Sequence, residues 1–207
     1  MRQPAYRLLL DLHLYAGLFA APLTAVFAVS VLGINHPGLL SRAPENRQAV
    51  TGLDVPPGLE SIEGRERIER LRPILDRLRV KGEVGPVRYL PRDGRLIVPV
   101  SAPGRETVVD LNLRAGSASI SSRETGLLAA TVFLHKAPGP HLANIRGNWV
   151  WMRVWQWFTD ATAYLILFTT VTGIWLWLII RAERRSGLAW LLAGAATLSG
   201  VVYALCS

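Results

Sequence analysis

Residues 12–40 read "LHLYAGLFAAPLTAVFAVSVLGINHPGLL", and none of them is Asp, Glu, Lys or Arg. A bilayer crossing needs about 20 predominantly apolar residues, so this run is long enough for a membrane-spanning helix. It is also longer than the apolar segment of a cleaved signal peptide, which has about 7–15 residues. Arg2 and Arg7 would suit the basic start of a signal peptide, but the length favours a retained membrane helix.

Two more apolar runs follow further along the chain, at residues 161–180 and 188–205. Half of the 207 residues are hydrophobic and only 18% are charged, whereas about 25% charged residues is usual in soluble proteins. The single cysteine, Cys206, excludes an internal disulfide bond and a multi-cysteine metal site. The composition therefore predicts a membrane protein with three spanning helices.

The arginines predict the orientation of these helices. Loops rich in Lys and Arg stay in the cytoplasm, and such residues stand before the first span and between the second and third: Arg2, Arg7, Arg181, Arg184 and Arg185. We expect a cytoplasmic N-terminus, residues 41–150 outside, and an extracytoplasmic C-terminus. The net charge of +8 would otherwise suggest nucleic acid, but no nucleic-acid-binding motif supports such a partner.

The segment between the first two spans begins with an amphipathic pattern. "GRERIERLRPILDRLRV", residues 64–80, places apolar side chains at helical spacing opposite Arg and Glu: Ile68, Leu71, Ile74, Leu75 and Leu78. This spacing predicts a helix over residues 65–79. Pro73 interrupts the pattern, which predicts a kink or two short helices.

Short β-type runs follow this helix, separated by turn residues. The turns are marked by Asp93-Gly94, Gly104 and Gly116. We therefore expect a three- or four-strand meander. "ETGLLAATVFLHK", residues 124–136, then predicts a helix that leads back toward the membrane.

Four motifs occur in a characteristic order along the chain: "INHP" at 34–37, "VVDLNLRAG" at 108–116, "FLHK" at 133–136 and "TGIWLW" at 172–177. Over residues of about 8–182 the chain resembles the PepSY-associated transmembrane family, and in particular its short members with one outer PepSY-like domain. The resemblance implies an α+β protein of the bacterial cytoplasmic (inner) membrane. Its three transmembrane helices would carry a small extracytoplasmic domain, a helix plus an antiparallel β-meander, between spans one and two.

This organisation predicts four segments. Residues 1–40 hold the N-terminus and the first span, and residues 41–148 form the outer domain. Residues 149–181 hold an aromatic interfacial segment and the second span, and residues 182–207 hold a cytoplasmic loop and the third span.

Four histidines are candidate cofactor ligands: His13, His36, His135 and His141. His13 and His36 are 23 residues apart, about 35 Å along a helix, so they do not share one haem. His36, His135 and His141 all belong to the outer side, where two of them could meet around a haem or a metal ion. The resemblance adds weight to His135 of "FLHK". The other interpretation of His36 is structural, because Asn35, His36 and Pro37 make a good helix stop.

Tryptophans and small residues suggest membrane contacts. Six tryptophans gather near the ends of the second span and are typical of interfacial belts: Trp149, Trp151, Trp155, Trp157, Trp175 and Trp177. Small residues recur every four positions on the first and third spans: Ala16, Ala20, Thr24, Ala28, Ala196, Gly200 and Ala204. Such stripes let membrane helices approach closely. They predict packing against an integral membrane partner subunit or against a second copy of the chain.

Three functions remain open. No HExxH, GxSxG, P-loop or GxGxxG motif is present, so redox activity would depend on a bound cofactor. The first hypothesis is an accessory subunit that docks on a larger membrane complex of redox or electron-transfer type. The second is an electron carrier that holds haem b and delivers electrons to a periplasmic acceptor such as a ferric siderophore or a flavoprotein. The third, which the resemblance to protease propeptides implies, is a membrane-anchored peptidase regulator.

Overall fold

The computed structural model describes residues 3–40, 43–136, 142–180 and 184–206. It contains five α-helices in these ranges: α1 (Gln3–Asn35), α2 (Gly64–Arg77), α3 (Gly126–Lys136), α4 (Val150–Ile179) and α5 (Arg184–Cys206). Six strands lie between α1 and α3: β1 (Asn46–Val50), β2 (Glu83–Val84), β3 (Arg88–Leu90), β4 (Arg95–Ala102), β5 (Arg105–Asn112) and β6 (Ser117–Glu124).

Three of the helices, α1, α4 and α5, are long and apolar enough to cross a membrane. They cover most of the first two apolar runs of the sequence and all of the third, so the three expected spans are confirmed at this level. α1 ends at Asn35, directly before His36 and Pro37, and a short 3₁₀ turn follows at Pro37–Leu39. α4 begins eleven residues before the apolar run at 161–180 and includes most of the tryptophan-rich segment.

The chain divides into two compact units. One comprises Leu23–Thr159 and contains the sheet, α2, α3 and the adjoining parts of α1 and α4. The other comprises Met1–Pro22 and Asp160–Ser207 and contains the remaining parts of α1 and α4 together with α5.

The sheet of the first unit is antiparallel, with the strand order β1-β6-β5-β4-β2 and with β3 also paired to β4. Strands β4 and β5 and the first half of β6 bury alternate side chains, as expected for a sheet with one covered face. On β4, for example, Leu96, Val98 and Val100 are buried. These side chains share one core with the buried side chains of α2, namely Ile68, Leu71, Ile74 and Leu75.

The predicted meander is confirmed in β3 to β6, and the glycines stand in its turns. Gly104, for example, has a φ of 79° in the turn that joins β4 to β5. The sheet is larger than expected, because β1 adds a strand that pairs with β6. The sequence of β1, "NRQAV", has no alternating apolar pattern and did not identify it as a strand.

α2 runs through Pro73 as one helix, so of the two expected outcomes the division into two short helices is wrong, and the kink stays a prediction. Proline inside a helix costs about 3 kcal/mol. Each fully buried Leu or Ile side chain contributes about 1.5–3 kcal/mol. The four buried aliphatic side chains of α2 therefore outweigh the loss at Pro73.

A second proline shapes the edge of the sheet. The carbonyl of Pro99, in the middle of β4, accepts a hydrogen bond of 2.9 Å from the N–H of Gly85. Pro99 has no N–H, so it cannot donate the second hydrogen bond that would complete the pairing on that side of the strand. The neighbouring strand is accordingly interrupted, and residues 85–87 form a short irregular segment between β2 and β3.

Candidate functional site

His135, near the end of α3, contacts α1. Its Nδ1 lies 2.5 Å from Ser30 Oγ, and its ring meets Phe27 edge-on with centroids 5.1 Å apart. Ser30 Oγ donates its only hydrogen to the carbonyl of Phe27, at 2.6 Å. A hydroxyl has one hydrogen, so in the tautomer that carries the proton on Nδ1 the Ser30 hydroxyl accepts from His135, and Nε2 has the free lone pair.

His13 in the second unit has the same arrangement. Its Nδ1 lies 2.8 Å from Thr172 Oγ1, on α4. Thr172 Oγ1 donates to the carbonyl of Phe168 at 2.7 Å, so it too accepts from the imidazole. The ring approaches the backbone closely, because a Cβ on Gly173 would lie 3.2 Å from His13 Cε1.

His36 stands at the predicted helix stop. It is exposed, its backbone N–H bonds to Leu32 O, and its own carbonyl accepts from the N–H of Leu39. The hydrogen-bond partner of His135 is Ser30, and His141 lies outside the described residues. The described parts of the chain contain no group of three or more His, Cys, Asp or Glu that could hold a metal ion. Ligation by any of the four histidines stays a prediction.

The tryptophans separate into outward-facing and internal residues. Trp151 and Trp157 are 65% and 81% exposed, and Trp175 is 55% exposed. Trp155 instead donates from Nε1 to Leu134 O at 3.0 Å, and its ring lies near Phe27 and Phe158. Trp155 thus joins α3 to α4, while Trp177 lies against Gly187 at the start of α5. The backbone of Trp149 bonds to Glu83.

The small residues also differ in position. Ala20 is buried and Ala16 is half-buried, whereas Thr24 and Ala28 are exposed. On α5 the members of the predicted stripe are all exposed: Ala196, Gly200 and Ala204. A Cβ on Gly200 would meet nothing within 4 Å. The predicted packing partners of both stripes stay untested.

A polar cluster that the sequence did not indicate fixes the chain entering α4. Glu83, only 8% exposed, accepts three backbone hydrogen bonds from consecutive residues: from Gly147 at 2.5 Å, Asn148 at 3.2 Å and Trp149 at 2.8 Å. Burial raises the pKa of Glu83 above its ordinary 4.5, and the three N–H groups oppose that rise. The carboxylate therefore satisfies donors at the N-terminus of the helix.

Asn148 forms the other half of this cluster. Its side-chain amide bonds to both backbone groups of Val84, accepting from N at 3.0 Å and donating to O at 2.8 Å, as a neighbouring strand would. Arg72 of α2 donates to Asn148 Oδ1 at 2.6 Å and to Asn148 O at 2.9 Å. We call Arg72, Glu83 and Asn148 the α4 clamp.

A cavity of about 350 Å³ opens beside the first turn of α2. It is lined by Glu63, Gly64, Arg67, Ile68, Gly85, Pro86, Val87, Leu142, Asn144 and Ile145. Arg67 is only 6% exposed, and its Nε has no hydrogen-bond partner in the part of the chain that the structure describes. The sequence carried one signal for this residue: Arg67 falls on the apolar face of α2, four positions before Leu71 and seven before Ile74.

A family model described as "Putative PepSY_TM-like" matches residues 10–207. No curated protein matches the chain, and no solved structure matches it.

Proposed function

Because the chain belongs to the PepSY_TM-like family, we propose that it is an accessory subunit that docks on a larger membrane complex through α5. It has no catalytic site of its own in this proposal, and the complex is of redox or electron-transfer type. It lies in the bacterial cytoplasmic membrane with its N-terminus inside and its sheet-containing unit outside.

The observation that carries the proposal is the exposure of α5. α1 and α4 each bury part of their apolar surface, but none of the described residues of α5 is buried. Lipid tails are as apolar as leucine, so membrane helices associate by close packing of small residues and not by hydrophobic burial. Gly200 is a small residue on α5 at which a second helix could pack closely, because a Cβ there would meet nothing within 4 Å.

The α4 clamp supports the accessory role. Arg72, Glu83 and Asn148 tie the sheet and α2 to the first residues of α4. A domain held in this way keeps a defined orientation at the start of the span. A subunit that presents a surface to a complex needs such an orientation, whereas a flexible tether does not provide it.

Replacement of Gly200 by Leu tests the docking. The added side chain would hold an approaching helix away, so co-purification of the partner in mild detergent should fall while membrane insertion is unchanged. Gly194→Leu is the matched control, because Gly194 also has open space around it and lies about 120° away around the helix. Equal association of both variants and the wild type would reject docking through this face.

The orientation has its own test. A reporter fused after Ser207 should be active only outside the cytoplasm, and one inserted near Gly187 only inside. The reverse pattern would reject the proposed topology.

A haem-b electron carrier is the second candidate, and the hydrogen bonds of His13 and His135 favour it. Each imidazole has its Nδ1 at hydrogen-bond distance from a hydroxyl, and in the tautomer that carries the proton on Nδ1 the Nε2 atom is available for ligation. Such outer hydrogen bonds orient histidine ligands. Each histidine fits as one axial ligand, and the second would come from another histidine or the partner. Bound haem would supply one-electron transfer.

A visible spectrum of the purified protein from haem-replete cells tests this candidate. A reduced low-spin b-type spectrum that His135→Ala abolishes and His36→Asn preserves would assign a ligand to His135. If His36→Ala and His135→Ala each abolish the spectrum, as the sequence suggested, both histidines are haem ligands. A colourless protein that still occupies its partner complex would reject the haem-b electron carrier.

A further inference from the structure

The cavity beside α2 combines two features that favour a negatively charged ligand. The first is the start of α2. Glu63 occupies the position before the helix with extended backbone angles, φ −136° and ψ 170°, and its side chain makes no capping hydrogen bond. The first N–H groups of a helix have no partner within the helix, and the helix dipole adds positive potential there. Glu63 and Gly64 both line the cavity.

The second feature is Arg67, one turn further along α2. Among the described residues its only hydrogen bond is a long one, 3.4 Å from Nη1 to Val87 O. Among the described residues no carboxylate forms an ion pair with it. Two other arginines of α2 do have side-chain partners: Arg70 bonds to Glu66 at 2.7 Å and Arg72 bonds to Asn148.

A buried guanidinium without a counter-charge is costly. Arg67 is more than nine-tenths buried, and no described residue bonds to its Nε. The residue lines an open space of about 350 Å³, which is within the usual size range of small-molecule sites. An anion in that space would compensate the charge and accept from the free donors.

We propose that this cavity binds a small oxyanion, a carboxylate or phosphate group, held by Arg67 and the N-terminal N–H groups of α2. Apolar side chains form much of the remaining wall, including Val87, Leu142 and Ile145. The cavity therefore has room for a small organic acid as well as for a free inorganic ion. The interruption of the edge strand opposite Pro99 creates the wall at residues 85–87. The site is independent of α5 and of the histidines.

The test uses the full chain in non-ionic detergent at constant ionic strength, because simple salt screens surface charges. Benzoate and inorganic phosphate are the probes, and affinity is measured by thermal unfolding and by calorimetry. Wild type and Arg70→Gln should be stabilised in a saturable way. Arg67→Met should bind both probes at least about tenfold more weakly, because it loses a charge-assisted hydrogen bond. Arg70→Gln is the matched control because it removes a guanidinium from the exposed face of the same helix.

Arg67→Met could prevent folding, so Glu63→Gln provides a second measurement. Removal of the carboxylate at the cavity mouth should strengthen binding of both probes. Binding by neither probe, or equal stabilisation of wild type, Arg67→Met and Arg70→Gln, would overturn the proposal. So would a Glu63→Gln protein that is less stable and binds no more tightly, because the counter-charge of Arg67 would then be Glu63 itself.

Discussion

The carboxylate of Glu83 accepts a hydrogen bond of 2.8 Å from the backbone N–H of Trp149, the residue directly before α4. Trp149 O in turn accepts from the N–H of Met152 and Arg153, in the first turn of the helix. A side chain of the sheet thus occupies the N-terminus of a membrane-spanning helix. The same carboxylate also accepts from the N–H groups of Gly147 and Asn148, so one side chain of the sheet binds three consecutive residues immediately before α4.

Replacement of Glu83 by Gln should destabilise the unit Leu23–Thr159 by about 1.5–3 kcal/mol, the range for hydrogen bonds to a buried charge. The amide keeps one acceptor oxygen but turns an NH₂ group toward backbone donors. Denaturant unfolding of the full chain in detergent would measure the change. Glu66→Gln, which removes an exposed partner of Arg70, should cost about 0.5 kcal/mol or less. Equal losses of stability in Glu83→Gln and Glu66→Gln would show that the hydrogen bonds of Glu83 do not stabilise the fold.

Glu83 and Glu45 should change the stability of the protein in opposite directions as the pH rises. Burial raises the pKa of Glu83 in the folded state above 4.5, so the folded protein binds this proton more tightly than the unfolded chain. The stability that Glu83 contributes is then greatest below pH 4.5 and falls as the pH rises through its folded pKa. The stability difference between wild type and Glu83→Gln should shrink as the pH rises from 4.5 through the raised folded pKa of Glu83.

Glu45 provides the control of opposite sign. The Ser121 hydroxyl and then Arg47 lower the pKa of Glu45 below 4.5. Its contribution is present above pH 4.5 and is lost as the pH falls through the lowered pKa. The difference between wild type and Glu45→Gln should therefore grow with rising pH in acid. Parallel slopes for the two variants would contradict the assignment.

The fold was predictable where the signal is local. The apolar runs, the spacing of Ile68 and Leu71, and the glycine turns each depend on neighbouring residues, and the helices and strands formed there. β1 depends instead on pairing with β6, some seventy residues away in sequence. Its own side chains are largely exposed and carry no pattern.

The candidate sites were less predictable for the same reason. Histidines could be listed from the sequence, but the partner of His135 proved to be Ser30, 105 residues away. Glu83 looked like any polar residue of a loop until the fold placed it against residues 147–149. Arg67 alone had a visible signal, its position on an apolar helix face, and that signal was outweighed by the many other arginines of α2.

Gly33 should be required for the contact between α1 and α3. A Cβ at this position would lie 2.7 Å from Val132 Cγ2 and 3.2 Å from Leu128 Cγ. Gly33→Ala should therefore destabilise by about 1–3 kcal/mol through overpacking. Gly17→Ala on the same helix meets nothing within 4 Å and should be neutral or slightly stabilising, because alanine favours the helix. Thermal unfolding in detergent measures the stability of both variants. An unchanged stability of Gly33→Ala would show that α1 and α3 are not closely packed at Gly33 in the detergent-solubilised protein.

Gly187 should have the corresponding role where α4 meets α5. A Cβ on Gly187 would lie 2.1 Å from Trp177 Nε1 and 2.5 Å from Trp177 Cε2, so Gly187→Ala must displace the indole. In protein labelled with 5-fluorotryptophan, seven tryptophans give seven fluorine signals, and Trp177→Phe identifies the relevant one. Gly187→Ala should shift that signal and leave those of the distant tryptophans in place. Gly194→Ala, which meets nothing within 4 Å, should leave all seven unchanged. An unshifted Trp177 signal in Gly187→Ala would mean that the start of α5 does not pack on α4 in the detergent-solubilised protein.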